Sequence, residues 1–343
     1  MLSLQVSLAI AAILVMFLLR ARRNFRALPL IPALPAAETP PDCMVVIPAR
    51  NEEARIARAV GSLPHDTVIV VDDHSEDATA EAARKAGAGV LPAPKLSPGM
   101  PGKSNACLAG ARVLTSRWIL FADADTWYEP GFLESAIAAA GAGPLDFLSI
   151  YLRPEYRGVS GHILGPTAVA LYFCGANPRR DPAALFNGQC LLVRRQAYEF
   201  IGGHAAVLTN LFEDLKLVAL AQRHRLKFAV ARTGLGHVRI SPRDFERNAH
   251  RFTEVSPWIG ALLLLAAFFC ALWLAALAWL LIERQWLAAA ACGLVPMLLL
   301  LQWYRGLRVL LAPLGIFGML PILARGFVAA VTGRAVEWKG RVI

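Results

Sequence analysis

Three polar clusters, each directly behind a short apolar run, hold the residues of this chain that are best suited to chemistry. They are Pro48-Ala49-Arg50-Asn51-Glu52, Asp72-Asp73 and Asp123-Ala124-Asp125. Each cluster alone is equally well explained as turn residues and helix caps, because acidic residues often follow strands in that role. Their repetition behind three runs favours a shared ligand site.

A cleft that holds several carboxylates repels a phosphate-bearing ligand unless a cation lies between them. Mg²⁺ or Mn²⁺ suits this place, because these hard ions bind one or two carboxylates together with substrate phosphates. We therefore predict a divalent cation, with Asp125 as its ligand and with Asp123 reaching the ribose or assisting.

The elements that must position these clusters are strands and helices in alternation. The apolar, mostly β-branched runs Cys43 to Ile47, Thr67 to Val71 and Trp118 to Ala122 are typical of parallel strands buried on both faces. Helices are expected between the first two runs, after the second as far as Gly87, and from Lys103 to Leu114. This order predicts a doubly wound α/β sheet, which binds ligands at the carboxyl ends of its strands.

Gly102-Lys103-Ser104 matches the end of a phosphate-binding P-loop, but the rest of that motif is missing. Ser97 stands where the motif needs a glycine, and Pro98 and Pro101 lack the amides that would cradle a phosphate. No Gly-x-Gly-x-x-Gly fingerprint follows the first strand, which argues against a nicotinamide-dependent dehydrogenase.

The composition places part of the chain in lipid. Of 343 residues 56% are hydrophobic, and the mean hydropathy is +0.48. The apolar stretches are Leu2 to Leu19, Trp258 to Ile282, Trp286 to Trp303 and a proline-interrupted one from Val309 to Val331. The first three have about the 17 to 25 residues with which a helix crosses a bilayer.

Positive charge next to these stretches predicts their orientation. Arginines between positions 20 and 26 follow the first stretch, so it is expected to be an uncleaved anchor with its arginines in the cytoplasm. The last stretch contains Pro313, Pro321 and Arg325, which favour a re-entrant or interfacial segment over a simple span. The tail after it is then cytoplasmic.

We accordingly predict an integral protein of a bacterial inner membrane with five parts. They are a transmembrane anchor at 1–20, a linker at 21–42, a cytoplasmic α/β domain at 43–256, a membrane domain with two spans at 257–333 and a cytoplasmic tail at 334–343. The net charge of +10 lies mostly beside membrane segments, which indicates anionic lipid rather than nucleic acid as the partner.

The remaining candidate ligands show no framework. The six cysteines lack Cys-x-x-Cys spacing, which agrees with a reducing compartment, and we assign them to packing. The histidines also lack a zinc-binding spacing such as His-x-x-x-His. No zinc site is expected.

The stretch from about Cys43 to Phe252 resembles the inverting family 2 glycosyltransferases of GT-A fold. The likeness rests on motifs met in order, namely Pro-x-x-Asn-Glu, Asp-Asp-x-Ser, Gly-Lys-x-x-Ala, Asp-x-Asp and Glu-Asp. They are Pro48 to Glu52, Asp72 to Ser75, Gly102 to Ala106, Asp123 to Asp125 and Glu213-Asp214.

This resemblance implies a role for each matching residue. Six residues would contact the nucleotide-sugar donor, which in this family is usually a uridine compound. They are Pro48, Asn51, Glu52, Asp73, Lys103 and Asp123. Asp125 would bind the metal. Asp214 resembles the catalytic base, which takes the proton from an acceptor hydroxyl as it attacks the anomeric carbon in line. The residues alone also allow a plain acidic pair, Glu213 and Asp214, at a helix start.

Lipid-modifying members look most similar, such as ceramide glucosyltransferases, hopanoid-associated glycosyltransferases and carotenoid-acid glycosyltransferases. Residues expected at the acceptor or a phosphate are Glu213, Gln189, His204, Arg251 and Trp338. His204 is otherwise a loop histidine, and Arg243 to Phe252 is otherwise a basic helix at the headgroups. Processive synthases carry Gln-x-x-Arg-Trp, where this chain has Asn248 to Phe252.

The expected function is therefore transfer of one sugar from a nucleotide-sugar, a UDP-hexose, to a membrane lipid. The reaction would be metal-dependent and would proceed by an inverting single displacement. A processive polysaccharide synthase and a non-catalytic nucleotide-sugar-binding membrane scaffold are the alternatives.

Overall fold

The computed structural model describes residues 4–96, 101–175, 178, 181–210, 212–240, 257–304, 306–332, 337–338 and 341–342. Helices and strands are numbered in chain order over these residues. The chain divides into two compact units. A helical unit comprises residues 1–27, 156–180 and 240–336, and an α/β unit comprises residues 28–155, 181–239 and 337–343.

The α/β unit is built on an eight-stranded sheet with the order β3-β2-β1-β4-β7-β6-β8-β5. Its strands are β1 Cys43–Ala49, β2 Val68–Asp72, β3 Gly89–Pro92, β4 Trp118–Ala122, β5 Thr126–Tyr128, β6 Phe147–Tyr156, β7 Cys190–Arg194 and β8 Phe228–Ile240. The short strands β9 Glu337–Trp338 and β10 Arg341–Val342 form a separate antiparallel pair.

Helices of both units follow in chain order. They are α1 Leu4–Ala27, α2 Glu53–Gly61, α3 Thr79–Lys85, α4 Gly102–Arg112, α5 Phe132–Ala142, α6 Gly158–Gly175, α7 Arg195–Phe200, α8 Glu213–Arg223, α9 Pro257–Ile282, α10 Trp286–Leu300 and α11 Ala312–Val331. Helices α1, α6, α9, α10 and α11 belong to the helical unit.

The three strands expected from the apolar runs are β1, β2 and β4. Strand β1 lies between the other two and pairs with both in parallel. All five residues of β4 are buried, because helices or other elements cover both faces of a parallel sheet. The carboxyl ends of these strands therefore meet at one edge, as the sequence predicts.

The second half of the sheet is antiparallel, which the alternation of strands and helices did not predict. Strand β7 pairs antiparallel with β4, so that Cys190 lies opposite Ala122, and β6 pairs antiparallel with β7. The start of β7 consequently lies beside the end of β4. The loop that enters β7 reaches the same sheet edge as the Asp123-Ala124-Asp125 cluster.

Helix α4 packs closely on the parallel strands because of Gly110. A Cβ atom at this position would lie 2.5 Å from Cγ1 of Val46 on β1, closer than carbon atoms can approach. The absence of a side chain lets the helix sit directly on the sheet. Its first turn carries Lys103.

The segment predicted as a linker differs from the prediction at both ends. Helix α1 extends to Ala27, and residues 28–37 lie against the α/β unit. The Ile31 amide donates to the Arg232 carbonyl at 2.9 Å, and the Leu34 amide donates to Ser135 Oγ at 2.9 Å. The proline-rich segment is held by backbone hydrogen bonds rather than by a periodic apolar pattern.

The helical unit contains an unpredicted member, α6. Its sequence has Pro166 inside the helix and several glycines, which are helix-breaking signals. Tertiary contacts outweigh them. Asn24 on α1 donates from Nδ2 to the Phe173 carbonyl at 2.9 Å, and the hydroxyls of Thr167 and Tyr304 lie 2.7 Å apart. Residues 156–180 thus belong to the helical unit, whereas the sequence analysis predicted the whole interval 43–256 as one α/β domain.

Helix α1 is the one described helix that is by itself long and apolar enough to cross a membrane. The segments Gly306–Gly315 and Phe317–Val331 pass the same test together and are bent by 48°. They cover the stretch predicted to be re-entrant or interfacial. The basic segment 243–252 lies outside the described residues.

Candidate active site

The first polar cluster turns sharply behind β1. Asn51 has a φ of 52°, in the left-handed region that asparagine tolerates better than most residues. Its amide donates to Ser75 Oγ at 3.0 Å, and its Oδ1 accepts the Glu76 amide at 2.9 Å. Asparagine therefore joins the loops that follow β1 and β2.

Glu52 and Asp73 are buried in this joined loop region. The Asp73 amide donates to the Ala49 carbonyl at 2.8 Å, and the Glu52 amide donates to Thr79 Oγ1 at 2.7 Å. Arg55 lies 3.4 Å from the Glu52 carboxylate. The structure thus brings the predicted nucleoside-binding residues together, with Pro48, half-buried, near the end of β1.

A second network lies at the end of β4, next to β1 in the sheet. The ammonium Nζ of Lys103 is 2.7 Å from Asp123 Oδ1, 3.2 Å from Glu213 Oε1 and 3.4 Å from the Gly188 carbonyl oxygen. This ammonium, carried by α4, therefore meets groups from three other parts of the chain: the end of β4, the loop before β7 and the start of α8.

The loop before β7 connects this network to Asp214. The Gly188 amide donates to Asp214 Oδ2 at 2.8 Å, and the Leu215 amide donates to Asp214 Oδ1 at 2.8 Å. Both carboxylate oxygens are therefore oriented by backbone groups. The Asp123 amide donates to the Gln189 carbonyl at 3.0 Å, which fixes the same loop to the end of β4.

Gly188 permits the close approach of Asp214. A Cβ atom there would meet the Asp214 Cβ at 3.1 Å, the Asp214 Oδ2 at 3.4 Å and the Glu213 Oε1 at 3.5 Å. Asn187 holds the loop from the other side, because its Oδ1 accepts the Gln189 amide at 2.9 Å and its Nδ2 donates to Gln189 Oε1 at 2.9 Å.

Burial and charge act in opposite directions on the ionisable groups. Burial alone would lower the pKa of Lys103, but the carboxylates of Asp123 and Glu213 raise it above its ordinary value. Burial raises the pKa of Glu213, against the lowering effect of Lys103. Lys103 remains charged at neutral pH and supplies the positive charge between the two carboxylates.

His204 is buried against Phe121 and Tyr198. Tyr198 accepts the His204 amide at 3.0 Å, and its hydroxyl lies 2.8 Å from His204 Nδ1. Burial, reinforced by Lys103, lowers the pKa of His204 to about 3, so the ring is neutral.

The carboxylate oxygens at the end of β4 are suitable ligands for a hard divalent cation, provided that the substrate completes its coordination. In the described residues no group of three or more His, Cys, Asp or Glu side chains could hold a metal ion. Asp123 Oδ1 already contacts Lys103 at 2.7 Å, and Asp125, the metal ligand predicted from the sequence, lies two residues further along the same loop. One or two carboxylates with substrate phosphates are the usual ligands of Mg²⁺ or Mn²⁺ at such sites.

The predicted residues thus fall into two groups. Asn51, Glu52 and Asp73 surround the ends of β1 and β2, whereas Lys103, Asp123, Gln189, Glu213, Asp214 and His204 surround the end of β4 and the start of α8. Arg251 lies outside the described residues, and of Trp338 only the backbone, in β9, is described.

Sequence reasoning missed Gly188 as the amide donor to Asp214 and Tyr198 as the partner of His204. Gly188 directly precedes Gln189, which was expected at the acceptor or a phosphate, but a single glycine gives no local signal of this role. Tyr198 carries no local signal, because α7 is short and its partner lies across a turn.

Comparisons with known proteins bear on the family and the fold. Residues 44–202 match the family model described as glycosyl transferase family 2. A 4,4'-diaponeurosporenoate glycosyltransferase of Staphylococcus haemolyticus is 34% identical over 156 residues, which cover 44% of this chain and 37% of the relative. The Staphylococcus aureus protein of that name is 32% identical over 186 residues, 50% of this chain and 49% of the relative. The chain thus matches less than half the length of either relative.

A solved structure extends the likeness in fold. A mannosyltransferase from Pyrobaculum calidifontis, solved in complex with GDP-Man and Mn²⁺, superposes with a TM-score of 0.53 at 18% identity. The match covers 96% of this chain and 99% of the mannosyltransferase. The α/β unit therefore has the GT-A fold that the sequence predicts.

Proposed function

We propose that this protein, which carries a family 2 domain of GT-A fold, is a metal-dependent glycosyltransferase that moves one sugar from a nucleotide-sugar to a membrane lipid. The donor is a UDP-hexose, and the reaction is an inverting single displacement. The family match and the glycosyltransferase names of the relatives support the class of enzyme.

The observation that carries this proposal is the arrangement of Asp214. Its two oxygens accept amide protons from Gly188 and Leu215, so the carboxylate has a fixed orientation beside Lys103 and Glu213. A carboxylate oriented by its own backbone surroundings is suited to take the proton of an acceptor's hydroxyl group. Asp214 is the general base, and its fixed position orients the nucleophile for in-line attack.

The donor binds at the carboxyl ends of β1, β2 and β4. Asn51, Glu52 and Asp73 offer amide and carboxylate groups to the nucleoside, with Pro48 beside them. Asp123 and Lys103 face the same sheet edge. Asp125 holds the divalent cation, which neutralises the leaving diphosphate when it is bound.

A lipid acceptor accounts for the apolar helices. The relatives are named for 4,4'-diaponeurosporenoate, and α1 has the length and composition of a membrane span. We propose that α1 and the helices after residue 257 anchor the chain in a bacterial inner membrane. The α/β unit then faces the cytoplasm, where nucleotide-sugars are made available and where the arginines after α1 meet anionic headgroups. The segment 306–331 lies at or re-enters this face.

The test is transfer of labelled sugar by membranes that contain the protein. Membranes are incubated with labelled UDP-hexoses, or GDP-mannose as a comparison, together with total lipid extract and Mg²⁺ or Mn²⁺. We expect a labelled glycolipid that disappears with a chelator and with Asp214→Asn. Asp66→Asn is the matched control, because Asp66 is exposed and has a φ of 62° that asparagine tolerates.

Other outcomes would replace the proposal. Long polymer products would indicate a processive synthase. Donor binding without turnover, even with lipid extract, would indicate a scaffold. Undiminished product from Asp214→Asn would exclude that residue as the base.

A further inference from the structure

The ammonium of Lys103 is shared among acceptor groups from three parts of the chain. A protonated lysine has three N–H groups, and three acceptors surround Nζ: Asp123 Oδ1 at 2.7 Å, Glu213 Oε1 at 3.2 Å and the Gly188 carbonyl at 3.4 Å. Each acceptor comes from a different part of the chain. The arrangement joins the end of β4, the loop before β7 and the start of α8.

Of the three groups that contact the Lys103 ammonium, Glu213 is the one whose role the Glu-Asp motif leaves undefined. Its side chain is 10% exposed, against 22% for Asp123, so its charge is the more deeply buried of the two. A buried carboxylate without a nearby cation is strongly unfavourable. The ion pair with Lys103 therefore governs where Glu213 can lie.

This contact also fixes the base. Asp214 follows Glu213 directly in the first turn of α8, and its Oδ2 accepts the Gly188 amide, while the Gly188 carbonyl approaches Lys103. Glu213, Gly188 and Asp214 thus form a ring of contacts around one ammonium. A shift of Glu213 would move both the helix start and the peptide group that orients Asp214.

We infer that Glu213 is a positioning residue that acts through Lys103 to hold the base loop and the donor strand together, and that it does not contact the acceptor. This inference rests on the proposed function only for its activity measurements. It differs from the sequence expectation, which placed Glu213 at the acceptor or a phosphate. We call the Lys103–Glu213 contact the clamp.

The clamp predicts an unusual double-mutant cycle in thermal unfolding. Lys103→Met leaves Asp123 and Glu213 without their shared cation and lowers the unfolding temperature. Glu213→Gln in that background removes one of the two uncompensated charges, so the double variant should unfold at a higher temperature than Lys103→Met alone. The opposite result would refute the clamp. In that case Glu213→Gln would lower the unfolding temperature of the Lys103→Met variant by about as much as it lowers that of the wild type.

Steady-state kinetics test the positioning role. Glu213→Gln keeps the side-chain shape, and we expect kcat to fall about tenfold while the KM for the acceptor changes less than threefold. In the Lys103→Met background, Glu213→Gln should cause no further loss of kcat. A raised acceptor KM, or losses that multiply in the double variant, would mean that Glu213 contacts substrate and would overturn the inference.

An exposed pair supplies the control. Lys85 and Glu81 lie 2.6 Å apart on α3, but both side chains are more than half exposed, at 75% and 65%. In the cycle of Lys85→Met and Glu81→Gln, the double variant should not unfold at a higher temperature than Lys85→Met alone, because water already screens these charges. If wild-type protein transfers no sugar, the proposed function fails; the unfolding cycle still decides the clamp, because it requires no turnover.

Discussion

Replacing Gly188 by alanine tests whether the position of Asp214 limits the reaction. Gly188 has no positive φ, so alanine suits the backbone, and the effect comes from the added methyl group alone. The new Cβ would lie 3.1 Å from the Asp214 Cβ, whereas ordinary contacts of this kind lie at 3.4–4 Å. The base must therefore move by about 0.3 Å to reach an ordinary contact distance.

The size of this movement sets the expected loss. A displacement of about 1 Å at a reacting group costs about 10²-fold in rate, so a shift of about 0.3 Å at Asp214 should lower kcat by about 4-fold. This loss corresponds to roughly 0.8 kcal/mol of activation free energy. The overpacking should also lower the free energy of unfolding by about 1–3 kcal/mol.

The assay compares initial rates of sugar transfer at saturating donor and acceptor, with thermal unfolding measured on the same preparations. Gly141→Ala is the control, because a Cβ atom there meets nothing within 4 Å and the residue lies in helix α5. It should leave kcat unchanged and stabilise the protein by about 0.5–1 kcal/mol. An unchanged kcat in a folded Gly188→Ala variant would refute the assignment of Asp214 as a base positioned by this loop.

Three further perturbations address the metal ion, the buried histidine His204 and the segment 28–37, which lies against the α/β unit. Asp125→Asn should raise the Mg²⁺ or Mn²⁺ concentration that gives half-maximal transfer by at least tenfold, because one carboxylate ligand is lost; metal titration of activity measures this, and an unchanged requirement would exclude Asp125 as the ligand. The pKa of His204 is about 6.5 in the unfolded chain and about 3 in the folded chain. The unfolded chain therefore takes up this proton first, so the free energy of unfolding is highest above pH 6.5 and decreases as the pH falls from 6.5 toward 3. The loss between pH 7 and pH 5 from this residue is about 2 kcal/mol, and thermal unfolding at the two pH values should show it in wild type and not in His204→Gln. Gly131→Ala should destabilise the protein by about 2 kcal/mol or more, because its φ is 84° and the new Cβ would lie 1.9 Å from the Leu34 carbonyl oxygen; limited proteolysis between residues 28 and 37 should accelerate, whereas Gly61→Ala, in open space, should have no such effect.

The sequence by itself determined the parallel half of the sheet and its ligand-binding edge. Buried parallel strands require continuous apolar runs, and the runs before the three polar clusters became β1, β2 and β4. Because parallel strands end at one edge, the convergence of Asn51, Asp73 and Asp123 followed from local patterns alone. The order of the motifs indicated the family and the fold, which the comparisons support.

Only the tertiary structure decided how distant segments meet. The antiparallel entry of β7 places Gly188 beside Asp123, and long-range pairing of this kind depends on register rather than on local composition. Helix α6 was hidden by Pro166 and its glycines, since burial against other helices outweighs local propensity. Sequence reasoning assigned Lys103 and Glu213 to separate roles. Their meeting at one ammonium is a property of the fold, because the residues that supply the three acceptors, Asp123, Gly188 and Glu213, lie up to 90 positions apart (213 − 123).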